Sequence, residues 1–232
     1  MLQIVKDAFR LLTFRITREE ILNFGWQHFV FGLIWTWLVG IGRYWDNPRA
    51  DFLQHLGIGS IVYIFVLSLF LWLTVLPLKA RDWTYFKVLT FVSLVSPPAI
   101  LYAIPVQNFY DLETTNTINA IFLLIVAAWR VGLLLFFLRK FAVLDWFSSI
   151  SAALFPLAFI VAALTILNLD RVVFDLMAGI INQTPNDAAY GILGWMTFFS
   201  IFAFPVILIG YIVAIVRNNS PQKNGNSNSQ QK

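Results

Sequence analysis

The chain has 232 residues, of which 59% are hydrophobic and only 12% charged. A soluble globular domain carries about 25% charged residues, so this chain lacks the charge to cover its apolar surface in water, whereas a bilayer suits it. The formal net charge of +4 does not point to nucleic acid, because the basic residues flank the apolar runs, and the absence of cysteine excludes disulfides, thiolate metal ligands and cysteine nucleophiles.

From the N-terminus, Leu2, Val5, Phe9, Leu12 and Ile16 recur at spacings of three and four, with Gln3, Lys6, Asp7, Arg10 and Thr13 between them. This pattern predicts an amphipathic helix over 1–20, either lying on an anionic cytoplasmic leaflet or packed against the rest of the chain. It has no continuous apolar run of signal-peptide type, so the first spanning helix is expected to drive insertion. Thr17-Arg18-Glu19-Glu20 has the form of a capping box.

A spanning helix needs roughly 20 apolar residues, because ~30 Å of hydrocarbon is crossed at 1.5 Å per residue. Six segments qualify, at about 24–41, 56–78, 85–104, 118–138, 147–169 and 189–216. They are continuously apolar rather than alternating, which disfavours a β-barrel. The expected fold is an all-α polytopic integral membrane protein, a bundle of six transmembrane helices over 21–217 with short loops, an N-terminal amphipathic interfacial helix and a disordered tail over 218–232. Asp82, Asn116 and Asp187 stand ahead of the third, fourth and sixth spans as expected N-caps.

Orientation follows from lysine and arginine placement. With the N-terminus inside, Lys6, Arg10, Arg15, Arg18, Lys79, Arg81, Lys87, Arg139, Lys140, Arg217, Lys223 and Lys232 are cytoplasmic, against Arg43, Arg49 and Arg171 outside. Both termini are then cytoplasmic, which agrees with an even number of spans. The expected location is a multi-pass membrane protein, in the inner membrane if the source is bacterial. Tyr44, Trp45, Trp83, Tyr85 and Trp146 fall near span ends as interfacial anchors. Small residues four apart (Gly32, Thr36, Gly40; Ala128, Gly132; Ala158, Ala162; Gly210, Ala214) mark faces where helices can approach closely. A shorter amphipathic pattern, with Val172, Val173, Leu176 and Ile180 on one side, precedes the last span.

Arg130 stands near the middle of the fourth span, where a charge costs roughly 2.5–3.5 kcal/mol. It should therefore face the bundle or a wet cavity. No span holds an acid to pair with it, and the expected acceptors are the carbonyls of Ser93 and Leu94, freed by Ser96-Pro97-Pro98, with the hydroxyls of Ser93 and Ser96 nearby. Arg130, Ser93 and Ser96 thus form a candidate intramembrane polar site, either a clamp on a kinked helix or an anion or lipid-phosphate site. Pro156 and Pro205 are expected to break the fifth and sixth spans, and broken helices line cavities in some transporters. A second cluster, Arg43, Asp46, Arg49, Asp51 and His55, concentrates charge in the first outer loop. Gln27 and His28 make a polar pair without a second metal-ligand residue at helical spacing.

Metalloprotease, P-loop, nucleophile-elbow and paired-aspartate patterns are absent from the sequence. No catalytic residue, metal site or cofactor is expected. In outline the chain resembles small membrane-organising families, and no function is carried over from that outline. The expected partners are the lipid bilayer and either another membrane protein or a second copy of the chain, with no nucleic acid. The expected function is that of a non-enzymatic accessory or scaffold protein that binds another membrane protein or organises lipid. The alternative is a small anion or solute transporter with Arg130 in its pathway.

Overall fold

The computed structural model describes residues 1–42, 52, 56–178 and 188–220, and every regular element among them is helical. These are α1 (Leu2–Leu12), α2 (Arg18–Leu22), α3 (Trp26–Gly42), α4 (Ile58–Val75), α5 (Tyr85–Leu94), α6 (Leu112–Lys140), α7 (Trp146–Ile166), α8 (Asp170–Ala178) and α9 (Ala188–Asn219). Short 3-10 segments follow α4 (Leu76–Leu78) and α5 (Pro97–Ala103 and Val106–Asn108).

Among the described residues, four helices are long and apolar enough to cross a membrane: α4 with its 3-10 extension, α6, α7 and α9. A fifth crossing is formed if α5 and the 3-10 segments beyond it, bent by 41°, count as one span. The sequence leads to an expectation of six, and the difference lies in two places. α3 has 17 residues, about 26 Å of helix, shorter than the ~30 Å of hydrocarbon. The third span is interrupted because Pro97 and Pro98 withdraw two consecutive backbone donors. Pro156 and Pro205 each withdraw one, and α7 and α9 run on through them as single helices.

Helix starts are set by side chains that satisfy the first free N–H groups. The Thr17–Glu20 capping box forms as the sequence predicts. Asp82 does not cap α5; Thr84 accepts from the Lys87 amide, while Asp82 sits at positive φ and pairs with Arg18. Asn116 is buried inside α6, which starts six residues earlier than the hydrophobic run because Asp111 caps it through Thr114. Polar residues in that first turn hid the start from hydropathy. Asp187 lies outside the described residues.

The segments expected on one side of the membrane meet at one end of the molecule. Arg18 pairs with Asp82 and donates to the Phe141 carbonyl at 3.3 Å. The Arg81 amide donates to the Ala142 carbonyl at 3.2 Å, Arg217 pairs with Asp145 at 3.4 Å, and Asn219 Nδ2 donates to the Pro77 carbonyl at 2.8 Å. Lys87 Nζ donates to the carbonyls of Leu22 and Phe24 at 2.6 and 2.5 Å, tying the end of α2 to α5. Beneath this basic end lies the main core, in which Leu11, Ile16, Ile21, Leu78, Leu138 and Phe141 are almost fully buried. Helix α9 extends through Asn219, so Asn218 and Asn219 belong to its last turn rather than to a tail.

The small-residue faces act mainly as seams. A Cβ on Gly32 would stand 2.4 Å from Ser93 Oγ and 2.8 Å from the Ser93 carbonyl carbon; one on Gly40 would stand 2.8 Å from Ser60 Oγ. Ala158, Ala162 and Ala214 are buried where α7 and α9 pack. Gly132 is different: the ring of Phe14 covers it, so this face holds the α1–α2 connection rather than another helix.

Gly32→Ala should lower stability by about 1–3 kcal/mol through overpacking, whereas Gly59→Ala, with nothing within 4 Å, should leave it unchanged or slightly higher; thermal unfolding in detergent checks both. For Asp145, burial pushes the carboxyl up, but the Ser148 hydroxyl, the Arg217 charge and the amides of Ser148 and Phe147 together hold it below its ordinary value of 3.8. A lowered folded value means stability that is present above that pH and lost as pH falls through the folded value. The stability advantage of the native chain over Asp145→Asn should therefore exist at pH 7 and close as pH is lowered below 3.8.

Candidate intramembrane polar site

Thr36, Val95 and Arg130 each lie ten residues from the basic-end terminus of α3, α5 and α6 respectively, about 15 Å along each axis. Three helices thus bring polar groups to one layer. Trp129 Nε1, one residue from Arg130, donates to the Leu12 carbonyl at the end of α1 at 3.0 Å, so the α1–α2 connection approaches this layer from outside the bundle.

The layer is built by the break after α5. A straight helix would pair the Ala99 amide with the Val95 carbonyl. Past Pro97 the chain tightens to 3-10 spacing, and the Ala99 amide donates to Ser96 at 3.0 Å while the Ser96 amide donates to Ser93 at 3.3 Å. The Val95 carbonyl is left over, and Arg130 Nε donates to it at 3.3 Å. The expected acceptors were the carbonyls of Ser93 and Leu94. The Ser93 carbonyl is instead taken by the Ser96 amide, which moves the free acceptor along the chain.

Ser93 and Ser96 are both buried, and neither hydroxyl bonds to Arg130. Ser93 Oγ donates to the Thr90 carbonyl at 2.8 Å, and Ser96 Oγ shares a 2.6 Å hydrogen bond with Thr36 Oγ1. Thr36 Oγ1 also lies 2.9 Å from the Gly32 carbonyl, as a donor to it. With the Gly32 carbonyl accepting that proton, Ser96 is the donor in its bond to Thr36. Hydroxyls back-bonded in this way are satisfied within lipid.

Arg130 sits on the buried face of α6. One to two turns towards the basic end, Leu133, Leu134 and Phe137 are buried, with Phe137 stacked between Phe91 and Phe141 at 4.1 and 4.8 Å. One turn the other way, Val126 is fully buried against Val39 and Ala99. Arg130 itself is half-buried, and the flank beside it, Leu124 and Ala127, is exposed. A guanidinium carries five N–H donors; among the described residues the Val95 carbonyl is its one hydrogen-bond acceptor.

A second polar group stands nearer the basic end. Asp7 of α1 is 5% exposed. It accepts from Gln3 Nε2 at 2.7 Å and lies 3.2 Å from His28 Nε2. The Gly25 amide donates to His28 Nδ1 at 3.3 Å, so the imidazole proton belongs on Nε2, directed at Asp7. Phe24 stacks on the ring at 4.9 Å. The pair joins α1 to α3 across 21 residues of sequence, and helical spacing around His28 gives no hint of it. Gln27 is exposed and takes no part.

The outer-loop cluster of Arg43, Asp46, Arg49, Asp51 and His55 lies outside the described residues. Ahead of α9, α8 buries Phe174 against Ala120 and Leu123, and Arg171 lies over the Tyr190 ring at 4.7 Å. No group of three metal-ligating side chains occurs among the described residues. No protein-family model, curated protein or solved structure matches the chain, and the functional reading rests on its own residues.

Arg130→Leu exchanges a charge within an apolar span, with one acceptor among the described residues, for an apolar side chain. On the insertion scale that relieves roughly 2.5–3.5 kcal/mol, less the lost bond. The isolated protein should therefore unfold no more easily than the native chain. Thr36→Val, which leaves the Ser96 hydroxyl without its partner, should cost about 0.6 kcal/mol. Denaturation in mixed detergent micelles measures both.

Proposed function

We propose that the chain is a six-crossing membrane protein with both termini cytoplasmic that serves, without catalysing a reaction, as an accessory or scaffold for another membrane protein. The observation that carries this reading is Arg130: a charge kept within an apolar span, with the Val95 carbonyl as its one protein acceptor among the described residues. By the insertion-scale argument its replacement by an apolar residue does not weaken the isolated chain, which is why its use is read as an interaction.

The six-crossing topology draws support from the shared basic end. Thr36 lies as many residues from that end as Arg130 does, which supports reading α3 as a crossing despite its 17 residues. Helix α9 finishes there with Asn219 on Pro77, and α1 is tied there through Asp7 to His28 near the start of α3. An interfacial role for α1 is supported by its three sides. Ala8 and Leu11 face the bundle, Lys6 and Arg10 lie on the polar side, and Leu2, Val5 and Phe9 are exposed, Leu2 to 87%. An exposed apolar strip beside a basic one suits the boundary between lipid and water.

A transporter reading relies on three broken spans lining a cavity. Only the third is broken among the described residues, and apolar packing stands above and below Arg130 along its helix. Both features weigh towards an accessory role.

Purification from native membranes in a mild detergent should return the chain with one membrane protein at fixed stoichiometry. A preparation without a partner that conducts anions in liposomes, with flux lost in Arg130→Leu, would replace this reading with transport.

A further inference from the structure

The basic ends of the long helices stand together. Asn219 of α9 bonds to the Pro77 carbonyl past α4, and Asn218 bonds to Ser148 of α7 at 3.0 Å. Arg217 pairs with Asp145 ahead of α7, and the Arg81 amide meets the Ala142 carbonyl past α6. The lipid-facing surface does not end at one level. On α4 and α9 apolar side chains stay exposed almost to the basic end, with Leu73, Leu76, Val213 and Val216 each 48–60% exposed. On α6 exposure stops at Trp129, and no residue from Val131 through Arg139 is exposed. Val216 and Trp129 stand three and eleven residues from the basic ends of their helices, a difference of about 12 Å along the axes.

The α1–α2 connection takes over where α6 loses its exposure. Trp129 Nε1 donates to the Leu12 carbonyl at 3.0 Å, and the Phe14 ring covers Gly132. The stretch from Thr13 to Thr17 belongs to no helix, and Phe14, Arg15 and Thr17 in it are exposed. Irregular backbone facing lipid does not occur within hydrocarbon, where its N–H and C=O groups would find no water. A charge such as that of Arg15 is costly there as well. The lipid headgroups must therefore reach down to this turn.

Two further features agree. Tryptophan favours the zone where lipid meets water, which is the place this gives Trp129. Helix α3, read above as a crossing, has 17 residues, about 26 Å, and a short crossing draws the bilayer thinner around it. Helix α1 touches both α3 and α6, through Asp7 and Leu12, so the short helix and the exposed turn lie on one side of the bundle.

We propose that the chain thins the bilayer on that side. The leaflet at the basic end is indented beside α1, α3 and α6, and lipid headgroups settle there at the level of Trp129 and Arg130. The interaction surface is the α1–α2 turn, and its partner is the headgroup layer itself. This rests on α3 being a crossing, but not on the existence of a partner protein.

The full chain in phosphatidylcholine liposomes tests this by spin labelling. The protein has no cysteine, so Arg15→Cys, Ala128→Cys and Val213→Cys each accept one label at an exposed position. Collisions with oxygen report lipid chains, and collisions with a soluble nickel complex report the polar zone. Ala128 is twelve residues from the basic end of its helix and Val213 only six. The ratio of nickel to oxygen collisions should nonetheless be higher at Ala128 and Arg15 than at Val213. A flat boundary near the basic end would leave Ala128 drier than Val213, and a flat boundary level with the turn would make both equally wet; either result would overturn the proposal. Nickel chelated on a lipid headgroup should reach Ala128 and Arg15 as well. Access by the soluble complex alone would mean a watered crevice in the protein and would also overturn it. The Arg15 side chain makes no hydrogen bond among the described residues, so its label reads the turn without disturbing the fold. Purified chain suffices for every measurement, so failure here would leave the accessory role standing, and absence of a co-purifying protein would leave the thinning standing.

Discussion

Within a bilayer a backbone carbonyl that loses its helical donor has no water to turn to, and another part of the protein must supply the hydrogen bond. Ser96-Pro97-Pro98 creates that situation near the middle of the third span. The chain answers partly by tightening, so that Ser96 and Ala99 donate three residues back. It answers partly by recruiting a neighbour, since the Val95 carbonyl takes its proton from Arg130. The same stretch sets the spacing of α3. Ser93 stands against the bare backbone of Gly32, and Ser96 bonds to Thr36 one turn further on. The α3–α5 approach and the position of Arg130 on α6 both depend on this break.

The basic end solves a different problem. Loops there leave the hydrocarbon, so their polar groups can meet water as well as one another, and the core beneath them is packed as in a soluble protein. α1 mediates between the two environments. Its bundle-facing side combines Ala8 and Leu11 with the buried Asp7, whose partners are Gln3 and His28. A carboxylate so placed would be costly if unpaired, and the imidazole N–H offsets that cost while fixing where α1 meets α3. Phe14 then turns the chain at positive φ, unusual for a bulky residue. Its ring lies edge-on to Phe136 and over Gly132, which holds the turn in place.

Opposite that well-packed end, α9 is the least buried of the long helices. Trp195, Phe198, Phe199 and Phe202 form a run of aromatic contacts along its exposed side. The phenylalanine rings need no polar partner in lipid, and tryptophan suits the zone where lipid meets water, so the face is compatible with the bilayer as it stands. Arg130 differs because its donors do need one, which is why it is more informative about partners than the larger apolar surface.

Composition and the length of its apolar runs determined by themselves that this chain is helical and suited to a membrane, because those properties depend only on what the solvent accepts. Local chemistry was equally legible where partners are near in sequence: the Thr17–Glu20 capping box forms as written, and the gap at Pro97 was visible as a loss of donors. Hydropathy misplaced the start of α6, since the polar first turn belongs to the helix through its Asp111 cap. It treated three proline sites alike, although one withdrawn donor leaves a helix continuous and two adjacent ones break it. Tertiary structure alone decided that the Val95 carbonyl faces Arg130: 3-10 tightening hands the Ser93 carbonyl to the Ser96 amide and frees that of Val95, and the packing of α6 selects it over the Leu94 carbonyl. It alone joined Asp7 to His28 and Ser96 to Thr36, pairs 21 and 60 residues apart. Spacing along a chain carries no record of such meetings; they arise only when helices are packed and buried polar groups must find whatever donor or acceptor lies across the seam.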